Sequence, residues 1–283
     1  MSPFAGAVAA LGTLHGKERV IGATLDAELG VRVEVVGVDT DRFGTFTREV
    51  PRVGTARETA RSKARMALEV HGRARLGVAS EGSFGPHPSI LLVPGGVELV
   101  LLLDRETGVE LVGCDVTADT NYAATCVATV DDAVSFAARS SFPSHGLIVI
   151  AAPHEQPEPT LGMTKGIVDP TCLEQVVAQA LQRHGRAWIE TDMRAHLNPT
   201  RMRSIERAAQ ALARAARSLC PGCGRPGYVP VQRIGGLPCA DCGEPTGKAR
   251  AEVFDCAGCG RREERRLEGV SNATAFDCPV CNP

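Results

Sequence analysis

The chain has 283 residues, 43 % hydrophobic and 23 % charged, with 31 Lys and Arg against 33 Asp and Glu for a formal net charge of −2. Such aliphatic content excludes global disorder, and the near-neutral charge excludes a histone-like electrostatic nucleic-acid binder. No run approaches the roughly 20 apolar residues of a membrane helix, and residues 1–13 lack a basic leader, so a cytoplasmic protein without membrane contact is expected.

Residues 5–12 read as a buried strand and about 17–29 as a helix. A strand over 31–37, a polar loop over 38–53 and a helix over 55–70 follow. Strand 75–80 then runs into SEGSFGPHP, a Gly/Pro-rich segment read as a turn. Next comes a hairpin, VELVLLLD and VELVGCDV joined by Arg105-Glu106-Thr107-Gly108. A strand near 122–129, a helix begun by Asp131-Asp132 and a strand over 146–152 continue the pattern. Helix 170–184 has proline at its first position, and strand 187–190 leads to an Arg-rich helix from about Pro199 to Leu219. The alternation predicts an α/β domain over 1–217, a mixed sheet flanked by helices. From 218 onward Gly, Pro and Cys dominate and periodicity disappears, which predicts a small Cys-rich module over 218–283.

Eight of the 11 cysteines form four CxxC pairs in that module: Cys220/Cys223, Cys239/Cys242, Cys256/Cys259 and Cys278/Cys281. A CxxC turn aims two thiolates at one ion, and two turns complete a tetrahedral site. Gaps of 15, 13 and 18 residues fit zinc-ribbon spacing when pair one joins two and pair three joins four. Cross-braced pairing, one with three and two with four, fits as well. Two structural zinc ions are expected, because eight thiolates leave no open coordination position. Residues 220–283 carry eight Lys/Arg and eight Asp/Glu, so the module lacks a basic footprint, and a protein partner or docking against the first domain fits at least as well as nucleic acid.

Only Lys17, Lys63, Lys165 and Lys248 are lysines, so each is worth locating. Thr13-Leu14-His15-Gly16-Lys17 lies where a strand meets a helix, a turn able to offer backbone N–H groups and a cation to an anion. Asp39-Thr40-Asp41-Arg42-Phe43-Gly44-Thr45 is an acidic loop suited to a capped turn or an oxygen-ligated cation. Glu190-Thr191-Asp192-Met193-Arg194-Ala195-His196-Leu197-Asn198-Pro199-Thr200-Arg201 holds more polar groups than a strand-to-helix loop requires. Asn198 suits a helix N-cap, and Lys165 is a candidate to join this cluster.

The ordered set Thr13–Lys17, Gly54-Thr55-Ala56-Arg57-Glu58-Thr59-Ala60-Arg61-Ser62-Lys63-Ala64 and Ala79-Ser80-Glu81-Gly82-Ser83-Phe84 resembles the inosine/xanthosine triphosphate pyrophosphatase superfamily. That resemblance spans about residues 5–110 and implies a pyrophosphatase-like layout. It implies Thr13, Lys17 and Lys63 near phosphates and Glu58 and Glu81 on Mg²⁺. Departures are His15 in place of asparagine, Lys17 one residue early, and Glu81 in place of an Asp-Asp pair. Over nearly the whole chain, THGKE, ASEGSFGPHP, ETDMRAHLNPTR and the CxxC knuckles resemble a bacterial domain-of-unknown-function family, which implies no activity.

Together these readings predict a zinc-binding protein whose α/β domain is a Mg²⁺-dependent hydrolase or binder of a nucleotide or related phosphorylated substrate. Glu81, Asp192 and His196 are the candidate catalytic residues, and Thr13, His15, Lys17, Glu58, Lys63, Arg194 and Arg201 the candidate binding residues. The alternative is a nucleic-acid-associated or protein-interaction zinc module with a non-catalytic α/β domain.

Overall fold

A computed structural model describes residues 2–39, 43–44 and 54–283. Thr40, Asp41, Arg42 and Thr45 of the acidic loop lie outside the described residues. The chain divides into two compact units, Met1–Ala213 and Arg214–Pro283.

The first unit opens with β1 (Val8–Gly12), α1 (Glu18–Leu29), β2 (Arg32–Val36), α2 (Ala56–His71), β3 (Leu76–His87), β4 (Ile90–Asp104) and β5 (Glu110–Thr117). Its five strands lie in the order β2-β1-β3-β4-β5. β1 is parallel to β2 and β3, while β3, β4 and β5 run as an antiparallel meander, so the sheet is mixed as expected. α2 buries Ala60, Ala64, Ala67 and Leu68 against Ala10, Ala79 and Leu101. Its alanines permit close approach: a Cβ on Gly77 would stand 2.5 Å from the Ala64 carbonyl oxygen.

SEGSFGPHP is not a turn. β3 continues through it to His87, paired with β4 throughout, with a register shift between Pro86 and His87. Gly85 faces Gly95, Pro86 faces Pro94 and Phe84 faces Gly96. The breakers of one strand thus oppose those of the other, and cross-strand pairing outweighs local turn preference.

A second, antiparallel sheet follows, which the sequence reading did not separate from the first. Its elements are β6 (Ala124–Val127), α3 (Val130–Arg139), β7 (Leu147–Ala151), β8 (Met163–Ile167), α4 (Pro170–His184) and β9 (Ala187–Thr191), with strand order β6-β9-β7-β8. Thr129 and Asp132 form the capping box that starts α3, and Asp169 caps α4. Both helices cover one core with Phe136, Leu147, Val149, Leu173 and Ile189. α5 (Pro199–Arg217) buries Ile205, Ala208, Ala209 and Leu212. It lies directly on β5, where a Cβ on Gly113 would stand 2.2 Å from both the Ala208 oxygen and the Leu212 nitrogen. No described helix is long and apolar enough to cross a membrane.

The second unit holds β10 (Pro230–Ile234), β11 (Ala251–Asp255) and β12 (Arg262–Arg266) as one antiparallel sheet. The remainder consists mainly of turns around the cysteines.

Candidate functional site

Each CxxC begins a tight turn. The backbone N–H groups of Gly224, Gly243, Gly260 and Asn282 donate to the carbonyls of Cys220, Cys239, Cys256 and Cys278. The three glycines have φ between 72° and 77°, the left-handed region that L side chains rarely enter. Inside the turns, Gly222, Asp241 and Gly258 aim their N–H groups at the sulfurs of Cys220, Cys239 and Cys256, each at 3.4 Å. Backbone donors, from Cys259 and Gly258, hold the Cys256 thiol down to about 6, towards the thiolate a metal binds.

The pairing is cross-braced rather than that of two sequential ribbons. Cys220, Cys223, Cys256 and Cys259 form one group and Cys239, Cys242, Cys278 and Cys281 the other, with the four sulfurs of each within 4.8 Å of one another. Sγ···Sγ separations are 3.7 Å for Cys220–Cys259, 3.6 Å for Cys223–Cys256, 3.9 Å for Cys239–Cys281 and 3.6 Å for Cys242–Cys278. A tetrahedron with metal–sulfur bonds of about 2.3 Å has edges of about 3.8 Å, so both groups suit one metal ion each. The antiparallel β10–β12 sheet explains the pairing: β11, just before Cys256, pairs along β10, which follows the first knuckle.

A polar group assembles in the first unit from five segments. The turn after β1 supplies His15 and Lys17, α2 supplies Lys63, β3 supplies Ser80 and Glu81, β4 supplies Glu98, and the segment from β9 into α5 supplies Asp192, Arg194, His196 and Arg201. Lys63 and Glu81 form a buried ion pair. Arg201 Nε lies 2.6 Å from Glu98 Oε1, and neither side chain is exposed. Gly82 makes room for this pair, since a Cβ there would meet Glu98 Oε1 at 2.5 Å and Arg201 Nη2 at 2.8 Å. The Arg201 guanidinium also lies 5.3 Å from the centre of the Phe84 ring, which stacks on Tyr122. Fully buried Asp192 receives Arg194 Nη2 at 2.6 Å and the Gly166 N–H at 3.1 Å.

Each of these three carboxylates is matched to a cation, and Lys17 is the cation left over. Its Nζ donates to Ser80 Oγ at 3.0 Å, and among the described residues it has no ion pair. Burial, then the Arg201 charge, pull its pKa down to about 8 against the opposing pull of Glu98 and Glu81. Beside it the His15 and His196 rings stack, centroids 5.1 Å apart and planes 20° apart. Burial and the Lys17 charge bring His15 to about 4; burial and Arg194 lower His196, which Asp192 partly offsets. Both imidazoles are therefore neutral near pH 7.

Residues 63–283 match the family DUF6671, described as a domain of unknown function. The chain belongs to this family. The matched DUF6671 span takes in the Lys63–Glu81 and Glu98–Arg201 pairs, the Asp192–Arg201 segment and all eight CxxC cysteines. No curated protein matches the chain.

In this DUF6671 chain the sequence-predicted residues part company. His15, Lys17, Lys63, Glu81, Asp192, Arg194, His196 and Arg201 gather as described. Thr13 is buried behind them and accepts the His15 N–H, shaping the turn. Glu58 does not fit the metal role implied by the pyrophosphatase resemblance. It is exposed, and its carboxylate accepts the Thr55 N–H as the N3 member of the α2 capping box. Glu81 is claimed by Lys63, and Asp192 is claimed by Arg194 and backbone N–H groups, so Asp192 orients Arg194 rather than standing open for proton transfer. Apart from the two cysteine groups, no three His, Cys, Asp or Glu ligand atoms converge among the described residues. His87 stays at the end of β3, where its Nδ1 accepts the Ser89 N–H. Asn198 caps α5 through the Arg201 N–H at 2.9 Å.

Glu98 is the residue that the sequence reading passed over, and a carboxylate set among the aliphatic residues of VELVLLLD is the clue: a charge buried on a strand needs a partner. The Arg-rich helix is not an open basic stripe either. Arg201 is buried, Arg207 pairs with Asp115 at 2.9 Å and Arg203 approaches Asp119 at 3.8 Å.

Proposed function

We propose that the first unit binds an anionic, phosphorylated small molecule, nucleotides included, at the Lys17 group, and that the second unit carries two structural zinc ions. The observation that carries the first part is the charge matching: three carboxylates take three cations, and among the described residues Lys17 has only a hydroxyl. A phosphate oxygen arriving at Lys17 meets an ammonium lacking a counter-ion, two imidazoles able to donate, and the N-terminal end of α1, where Lys17 is the N-cap residue. Arg194, partly exposed, adds a second positive charge nearby. The second part is supported by four thiolates per ion at tetrahedral spacing, a closed set that stabilises rather than catalyses. Magnesium-dependent hydrolysis has no place in this reading, because Glu58 and Glu81 are engaged elsewhere.

The test is thermal unfolding of the full chain with inorganic phosphate, pyrophosphate and nucleoside mono-, di- and triphosphates, with and without Mg²⁺. A ligand at a hundred times its Kd stabilises by about 2.7 kcal/mol. At least one phosphorylated compound should raise the Tm of wild type and not of Lys17→Met, and Mg²⁺ should add nothing. No shift with any of them would overturn the reading.

A further inference from the structure

We propose that Lys17 is an amine nucleophile that captures the carbonyl group of a phosphorylated aldehyde or ketone as a Schiff base. The inference takes the phosphorylated substrate class from the anion-binding reading, with the substrate's phosphate held at the α1 N-terminus and beside Arg194 so that Nζ, once deprotonated, is free for the carbonyl; the amine chemistry stands on the geometry around Nζ. An ordinary surface lysine, or one locked to a carboxylate, stays protonated and inert. Lys63 and Lys248 each have a carboxylate partner, Glu81 and Asp277. Lys17 differs on every side. Its own turn brings His15, α2 brings Lys63, β3 brings Ser80 and the already paired Glu81, β4 brings Glu98, and α5 brings Arg201. Neighbouring cations and partial burial without a dedicated counter-ion are the conditions that activate a lysine, and its pKa of about 8 accords with them.

The imine forms in steps that balance. The Lys17 ammonium gives its proton to solvent, leaving the free amine. The freed nitrogen lone pair forms a bond to the carbonyl carbon while the C=O π pair moves to oxygen. That oxygen takes a proton from the nitrogen, giving a carbinolamine. The hydroxyl then takes a proton from solvent and leaves as water, and the C–O bond breaks as C=N forms. The sum is ammonium plus carbonyl giving protonated imine plus water, with no oxidant or further reactant.

The test uses the full, metal-loaded chain with pyridoxal phosphate or pyridoxal as carbonyl probe, borohydride to fix any imine, and peptide mass spectrometry to locate it. With only four lysines, Lys248 serves as an internal reference. At pH 7 a lysine at about 8 has roughly a hundredfold or greater neutral fraction than one at 10.5. Lys17 should therefore label at least about tenfold faster than Lys248, and the fast adduct should vanish in Lys17→Met. Labelling of Lys17 no faster than Lys248 by either probe would overturn the proposal. If pyridoxal phosphate raises the Tm in a Lys17-dependent way yet leaves no adduct, the amine chemistry fails and anion binding stands. If both probes label Lys17 equally fast and phosphate does not protect it, the nucleophile stands and anion binding fails.

Discussion

The cross-brace makes a prediction that sequential ribbons contradict. Under the observed pairing, Cys223→Ser with Cys256→Ser damages one centre only, whereas Cys223→Ser with Cys242→Ser damages both. Sequential pairing reverses the two outcomes. The stakes are large because the second unit has little apolar core of its own: Cys220 and Cys256 are themselves two members of its cluster with Tyr228. A structural site of this type contributes on the order of 10 kcal/mol of apparent folding free energy at neutral pH. A centre reduced to three or fewer thiolates should thus lose its ion to a mild chelator while an intact one keeps it. The assay is metal content per chain by elemental analysis after dialysis against chelator. We expect two ions in wild type, one in Cys223→Ser/Cys256→Ser and none in Cys223→Ser/Cys242→Ser. One ion retained by Cys223→Ser/Cys242→Ser, with none in the other double variant, would refute the pairing.

Three further predictions concern the first unit. Arg201→Met strands a buried Glu98 and should cost about 3–5 kcal/mol in denaturant unfolding, with Glu98→Leu/Arg201→Met recovering most of it. Gly113→Ala should cost about 3 kcal/mol or more, because the added Cβ would collide with α5 backbone rather than with a movable side chain. His15, held at about 4 against an ordinary 6.5, contributes stability that is complete above pH 6.5 and is lost as pH falls towards 4. The loss has a ceiling of about 3 kcal/mol, reduced by partial solvent exposure, and His15→Asn should flatten that part of the pH–stability curve.

Local chemistry was legible in the sequence; long-range partnership was not. The CxxC knuckles and their glycines are set by a few consecutive residues, so ligands and turns could be read directly, but their pairing depends on how β10 and β11 bring distant knuckles together. Glu58 shows a local rule prevailing over a resemblance: Thr55-Ala56-Arg57-Glu58 is a capping-box pattern, and the structure uses it as one. The β3–β4 ladder shows the reverse, with a partner strand overriding what SEGSFGPHP says in isolation. The motifs around His15 and His196 stood out as polar excess, yet the stacking of two rings 181 positions apart in the chain could not be inferred from either motif. Glu98 escaped notice because its strand reads as apolar.

The most direct test of the Lys17 group is histidine NMR, following the ring resonances of His15 and His196 against pH with and without saturating inorganic phosphate. Burial is the main cause holding His15 low; a bound dianion should offset the further pull of Lys17, Arg201 and Arg194, moving its pKa upward from about 4 in wild type but not in Lys17→Met. Superimposable titration curves for both histidines, with and without phosphate, would contradict an anion site at Lys17.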